Sequence, residues 1–214
     1  MDLLLLSWGA DALPEFLSRQ VGKEPAETVV GVLDDASIPF GDRGFVVYER
    51  ERLTGFGYRV RTLRARDFTD AAQFAAALDR LDAVYVCAGE TFVLLESLDQ
   101  HGLRRVLAQK VRAGLPYVGL SAGAVIAGPS AEPVSLMDDA ALAPGLTDHR
   151  GLGLIDTVPI PHADGRIPGY PPALIDTVRR RYQDRYRLTF LDDDQALLVR
   201  GAAQRIVSSP DRLG

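Results

Sequence analysis

The chain has 214 residues, of which 47% are hydrophobic and 25% charged, the values of a globular protein long enough to bury a core without staples. Its 24 basic and 29 acidic residues leave a net charge of −5, which argues against a general nucleic-acid binder with a basic footprint. A single cysteine excludes an internal disulfide, and three histidines beside it make a multi-ligand zinc site a poor reading.

The N-terminus reads Met1-Asp2, then four leucines, Leu3 to Leu6. That stretch lacks the basic start and the length of a signal peptide, and it is far short of a membrane span. It reads as a buried strand, with no membrane partner and the cytoplasm as the expected location. Further strands are expected over 29–33, 58–63, 83–86 and 117–119. Helical patterns fall between them, over 43–54, 70–80 and 91–113. In the last of these Leu94, Leu95, Leu98, Leu103, Val106, Leu107 and Val111 recur mostly at steps of three and four, as an amphipathic helix requires. Gly114 and Pro116 then stop it. Residues 129–144, rich in Pro, Ala and Asp, read as a long loop, a feature that is usually functional or mobile. Beyond it come a strand over 157–160, a helix over 172–186 and short strands over 188–191, 196–199 and 205–207. Apolar strands alternating with helices imply a mostly parallel sheet covered on both faces, the doubly wound α/β class. No linker divides the chain, so residues 1–214 are expected to form one domain.

The most informative segment is Gly119-Leu-Ser121-Ala-Gly123, set between an apolar strand and a run of small residues. This is a nucleophile elbow in the strand–turn–helix context it needs. Glycines two residues either side of the serine relieve crowding at a tight turn. The plain alternative is a Gly/Ser turn that merely joins strand to helix. A serine nucleophile needs a base. His101 reads as a surface residue, and His149 lies in a polar loop. His162 ends the apolar run Val158-Pro159-Ile160-Pro161, where reactive groups of an open sheet gather, and is the best candidate. An acid should orient that base. Asp138, Asp139, Asp164 and the triplet Asp192-Asp193-Asp194 are all available, and spacing does not choose among them. Two N–H donors are needed for an oxyanion. Ala122 offers one; Gly89, in the turn Cys87-Ala88-Gly89-Glu90 before Thr91, offers the other. Gly89 is read as letting substrate approach the backbone, with Thr91 as a helix cap.

Three segments resemble the peptidase E family of serine peptidases, which includes aspartyl dipeptidase and, more distantly, cyanophycinase. They are the segment from Tyr85 to Leu95, the elbow Gly119-Leu-Ser-Ala-Gly-Ala, and Gly151-Leu-Gly-Leu-Ile-Asp-Thr-Val-Pro-Ile-Pro-His162. The resemblance covers nearly the whole chain. It implies a three-layer sandwich, flavodoxin-like or class I glutamine-amidotransferase-like. It also implies a serine-type dipeptidase or small-peptide hydrolase with Ser121 as nucleophile and His162 as base, needing neither metal nor organic cofactor. For the third member it gives Asp138 first and Asp139 second, with Asp193 or Asp194 as counterparts of a competing placement near the C-terminal strands. The family's glycine-rich turn usually ends in Asn; Glu90 stands there and is expected to touch substrate. An N-terminal aspartate on the substrate would be met by an arginine after the histidine, Arg166 being the first choice, while Arg179 to Arg181 read as a solvated helix face. The expected partner is a small peptide, with the chain a monomer or a homodimer. An esterase or amidase on the same elbow, and a non-enzymatic sandwich that binds a small amino compound, remain open alternatives.

Overall fold

Successive leucines of the first strand point to opposite sides, and this alternation divides the core in two. Leu3 and Leu5 join one apolar cluster, Leu4 and Leu6 the other, and all four are essentially without solvent contact. Burying one such side chain contributes about 1.5–3 kcal/mol. A strand buried on both faces must be central, and it is. The computed structural model describes residues 1–41 and 44–211. Its strands are β1 (Asp2–Leu6), β2 (Val29–Leu33), β3 (Arg59–Leu63), β4 (Ala83–Val86), β5 (Tyr117–Leu120), β6 (Val158–Ile160), β7 (Leu188–Phe190), β8 (Gln195–Arg200) and β9 (Ala203–Ser208). Its helices are α1 (Leu13–Val21), α2 (Gly44–Gly55), α3 (Ala71–Leu78), α4 (Thr91–Asp99), α5 (Leu103–Arg112), α6 (Ala122–Ile126) and α7 (Pro172–Tyr182).

Seven strands form one sheet in the order β3-β2-β4-β5-β1-β8-β9, and β6 and β7 pair separately. Pairing is parallel from β3 through β1 and antiparallel at β8 and β9. One face packs against α3, α4, α5, α6 and α7 through Phe74, Leu94, Leu107, Val125 and Val178. The other packs against α1 and α2 through Leu13, Phe16, Leu17 and Leu53. The result is the three-layer α/β sandwich expected from the strand pattern. The edge strand β3 carries exposed Arg59 and Arg61, which discourage pairing with another chain.

Three expectations are corrected. The helix over 91–113 is two helices, broken by the turn Gln100–Gly102, where His101 (φ 53°) and Gly102 (φ 71°) both adopt the left-handed conformation that ends a helix. Helix α1 lies beyond the sequence expectation; Pro14 sits in its first turn, where a missing N–H costs nothing. The segment 129–144 is not a loose loop: it makes short turns at Glu132–Val134 and Ala140–Leu142, and Ala131, Val134 and Ala143 are buried. The helix expected over 43–54 is α2, although residue 43 lies outside the described residues.

Candidate active site

The carboxyl ends of parallel strands share one end of a sheet, and the chemistry-bearing residues collect at such ends, in the seven-stranded sheet and in the separate β6–β7 pair. Ser7 follows β1, Gly89 follows β4, Ser121 follows β5, His162 follows β6 and Asp193 follows β7. Ser121 sits at φ 47°, ψ −105°, a strained conformation that an L-residue holds only when its surroundings fix it. The surroundings are visible. The Ser121 N–H donates to the Leu6 carbonyl at 3.0 Å, and its own carbonyl receives the N–H groups of Ala124 and Val125. A Cβ on Gly119 would lie 2.4 Å from the Gly123 carbonyl oxygen, and one on Gly123 would lie 2.2 Å from that of Val86. Both glycines of the elbow are therefore demanded by close backbone packing.

The strain aims the Ser121 hydroxyl at an imidazole. Its Oγ lies 3.0 Å from His162 Nε2. His162 is itself at φ 60° and buried. Its backbone N–H donates to the Ser7 hydroxyl oxygen at 2.8 Å, and Tyr170 stacks on the ring at 5.0 Å with only 6° between planes. The other ring nitrogen, Nδ1, is 2.6 Å from Asp193 Oδ1. Asp193 is buried and held in turn: its N–H donates to Asp164, and the Ser7 hydroxyl lies 3.4 Å from its carboxylate. Sequence reasoning did not single out Ser7 or Tyr170. Ser7 carried a usable signal, being the first polar residue after a buried strand.

The expected pairing of Asp138 with His162 is corrected by this geometry. Asp138 lies across the cavity, where its carboxylate accepts the Thr91 N–H at 3.1 Å and faces the Tyr170 hydroxyl. It thereby caps α4, the role read for Thr91. Asp139 caps a turn of its own by accepting the Ala141 N–H. Burial pushes the Asp138 carboxyl up to about 7. Glu90 is half-buried beside it and is also raised by burial; its carboxylate accepts the Asp139 N–H at 3.0 Å. Arg166 points elsewhere: its guanidinium pairs with Asp164 at 3.1 Å and its side chain is 66% exposed. Gly89, at φ 132°, packs closely on the Ala36 carbonyl, 2.2 Å from where a Cβ would stand, so no side chain fits at this turn. Ala122 opens α6, so its N–H precedes the helical ladder. Cys87 is buried and its thiol pushed well up by burial, which suits an inert packing residue.

Thr91, Ser121, Ala122, Val125, Val134, Met137, Asp138, Pro161, His162 and Tyr170 line a tight cavity of about 10 Å³. No helix among the described residues is long and apolar enough to cross a membrane.

Comparison with known proteins gives the chain its family. The chain is 34% identical over 175 residues to an uncharacterized peptidase of Pasteurella multocida (strain Pm70), covering 81% of this chain and 75% of that one. It is 37% identical over 137 residues to peptidase E of Streptomyces coelicolor, covering 61% and 52%. In fold it matches the crystal structure of a candidate peptidase E protein from Listeria monocytogenes EGD-e, with a TM-score of 0.84 over 97% of this chain and 98% of that one at 23% identity. The model of peptidase family S51 matches residues 12–207. The chain is thus a peptidase, a member of family S51.

Proposed function

We propose that the protein is a serine-type peptidase that removes the N-terminal residue from dipeptides or other small peptides through an acyl-enzyme. The observation that carries this reading is the hydrogen-bonded series Ser121–His162–Asp193, with links of 3.0 and 2.6 Å. In the proposed reaction the Ser121 Oγ attacks the scissile carbonyl while His162 Nε2 takes its proton. Asp193 fixes the tautomer with the proton on Nδ1 and steadies the imidazolium that forms. The N–H groups of Ala122 and Gly89 receive the oxyanion. His162 then protonates the leaving amine, and water, deprotonated by the same imidazole, releases the acyl group.

The lining of the cavity supports action at a free N-terminus. Asp138 in its wall, with Glu90 beside it, offers carboxyl oxygens that can accept hydrogen bonds from an ammonium group, whose charge would in turn favour the ionised carboxylate. An N-terminal aspartate would add a further carboxylate to a wall that, among the described residues, carries no lysine or arginine. The reading therefore favours neutral N-terminal residues over aspartate. A panel of dipeptides, aminoacyl arylamides and simple esters tests it. Cleavage of unblocked neutral substrates, lost in Ser121→Ala and in N-acetylated substrates, is the expected result. Equal cleavage of blocked peptides, or of esters alone, would overturn it.

A further inference from the structure

Two charged side chains of α2 lie buried on the far side of the sheet from α6, and neither takes part in the chemistry above. Glu49 and Arg52 are each 3% exposed. Ionisable groups are hidden this way at a cost that general stability does not explain. Their partners explain it better. The Glu49 carboxylate accepts the N–H of Ala88 at 3.2 Å, one residue before Gly89 in the turn at the end of β4. Arg52 donates to the Trp8 carbonyl at 3.0 Å, just beyond β1. The same peptide group continues as the Gly9 N–H, which donates to the Asp193 carbonyl at 2.8 Å. Arg52 also donates to the Tyr85 hydroxyl and lies 3.5 Å from Asp211. One turn of helix thus grips two strand ends: one bears the Gly89 oxyanion donor, the other leads directly to the acid behind His162.

We infer that Glu49 and Arg52 are positioning residues, which set the Gly89 turn and Asp193 at their working distances from Ser121 and His162. The inference rests on the serine-peptidase reading for its effect on rate, though not for its geometry. A hydrogen bond inside a dry site orients its partner strongly, and an oxyanion donor displaced by a fraction of an ångström loses much of its effect. The groups that face Glu49 are Arg52 on its own helix and Tyr85, Cys87 and the Ala88 N–H on β4 and the turn after it. Arg52 and the Ala88 N–H favour its charged form, against burial.

The test compares Glu49→Leu, which keeps the size and removes the acceptor, with Glu49→Gln, whose amide oxygen still accepts the Ala88 N–H. Three readouts are taken: kcat and KM on an aminoacyl arylamide that the parent cleaves, the labelling rate of Ser121 by a fluorophosphonate, and hydrogen exchange at the Ala88 amide. The expected result for folded Glu49→Leu is a kcat lower by about 10- to 100-fold with KM within about threefold, slower labelling, and faster exchange at Ala88. Glu49→Gln is expected to restore all three. Should Glu49→Leu fail to fold, Glu49→Met, of similar size and with only a weak acceptor, takes its place. A folded Leu or Met variant with the parent's kcat and exchange overturns the inference. So does a Gln variant as slow as the Leu variant. A parent that the fluorophosphonate does not label contradicts the serine-peptidase reading instead, and the exchange comparison then still decides whether Glu49 holds the turn.

Discussion

At the scale of single residues, the candidate site separates two carboxylates that the sequence leaves interchangeable. Asp193 touches the imidazole; Asp138 touches a helix end and a tyrosine. Their substitutions should differ in kind. Asp193→Asn should leave the imidazole in the wrong tautomer and lower kcat by about 10³- to 10⁴-fold with little change in KM. Asp138→Asn should mainly raise KM for substrates with a free amino group. Steady-state kinetics of the two variants decides the matter, and equal effects on kcat would contradict the assignment. Ser121 and His162 were legible because each occupies a position with a physical signature: an elbow flanked by glycines, and the end of an apolar strand. Asp193 was not, because an acidic triplet looks the same in a solvated turn. In the fold, its contact with the imidazole, the Gly9 N–H on its carbonyl and Asp164 on its N–H turn the middle aspartate inward.

At the scale of elements, the buried strands were easy to read, since a run such as Val-Val-Gly-Val-Leu of β2 is apolar on both faces and bounded by turns. Helix boundaries were harder. The apolar steps of three and four within α4 and within α5 are joined by one step of five, Leu98 to Leu103, an interruption easily passed over in a run this apolar, and two left-handed residues impose the break there. Two glycine substitutions separate backbone preference from packing. Gly102 has φ 71° and open space where a Cβ would go, so Gly102→Ala should cost about 1–2 kcal/mol from conformation alone. Gly123→Ala would overlap the Val86 carbonyl at 2.2 Å and should distort the elbow as well as the stability. Denaturant unfolding and Ser121 labelling, measured on both, should show Gly102→Ala weakened and fully reactive, and Gly123→Ala impaired in both respects. A Gly123→Ala protein with parental reactivity would show that the elbow tolerates more than its packing implies.

At the scale of the whole molecule, two buried carboxyl groups link folding to pH. Burial raises Glu49 from 4.5 to about 7 and Asp138 from 3.8 to about 7. Between those values the folded protein holds protons that the unfolded chain has released. Stability should therefore fall as pH rises from about 4 to 7 and level off above, by a few kcal/mol at most, on the order of 3–4, for each group. Glu49→Gln and Asp138→Asn stay neutral throughout, so each should flatten the slope of melting temperature against pH. Variants with the parent's slope would contradict the burial argument.

The same whole-molecule view shows what the fold does for the chemistry. The main sheet brings the ends of β1 and β5 together, and the separate β6–β7 pair brings its own carboxyl ends, with His162 and Asp193, against them. The central claim is that this junction holds an activated serine. Intact-protein mass spectrometry after exposure to a fluorophosphonate tests it most directly, with the modified residue located by peptide mapping. The account predicts one adduct per chain, on Ser121, greatly slowed in His162→Ala. An unmodified parent protein, or labelling that persists at the parent rate without the imidazole, would contradict it.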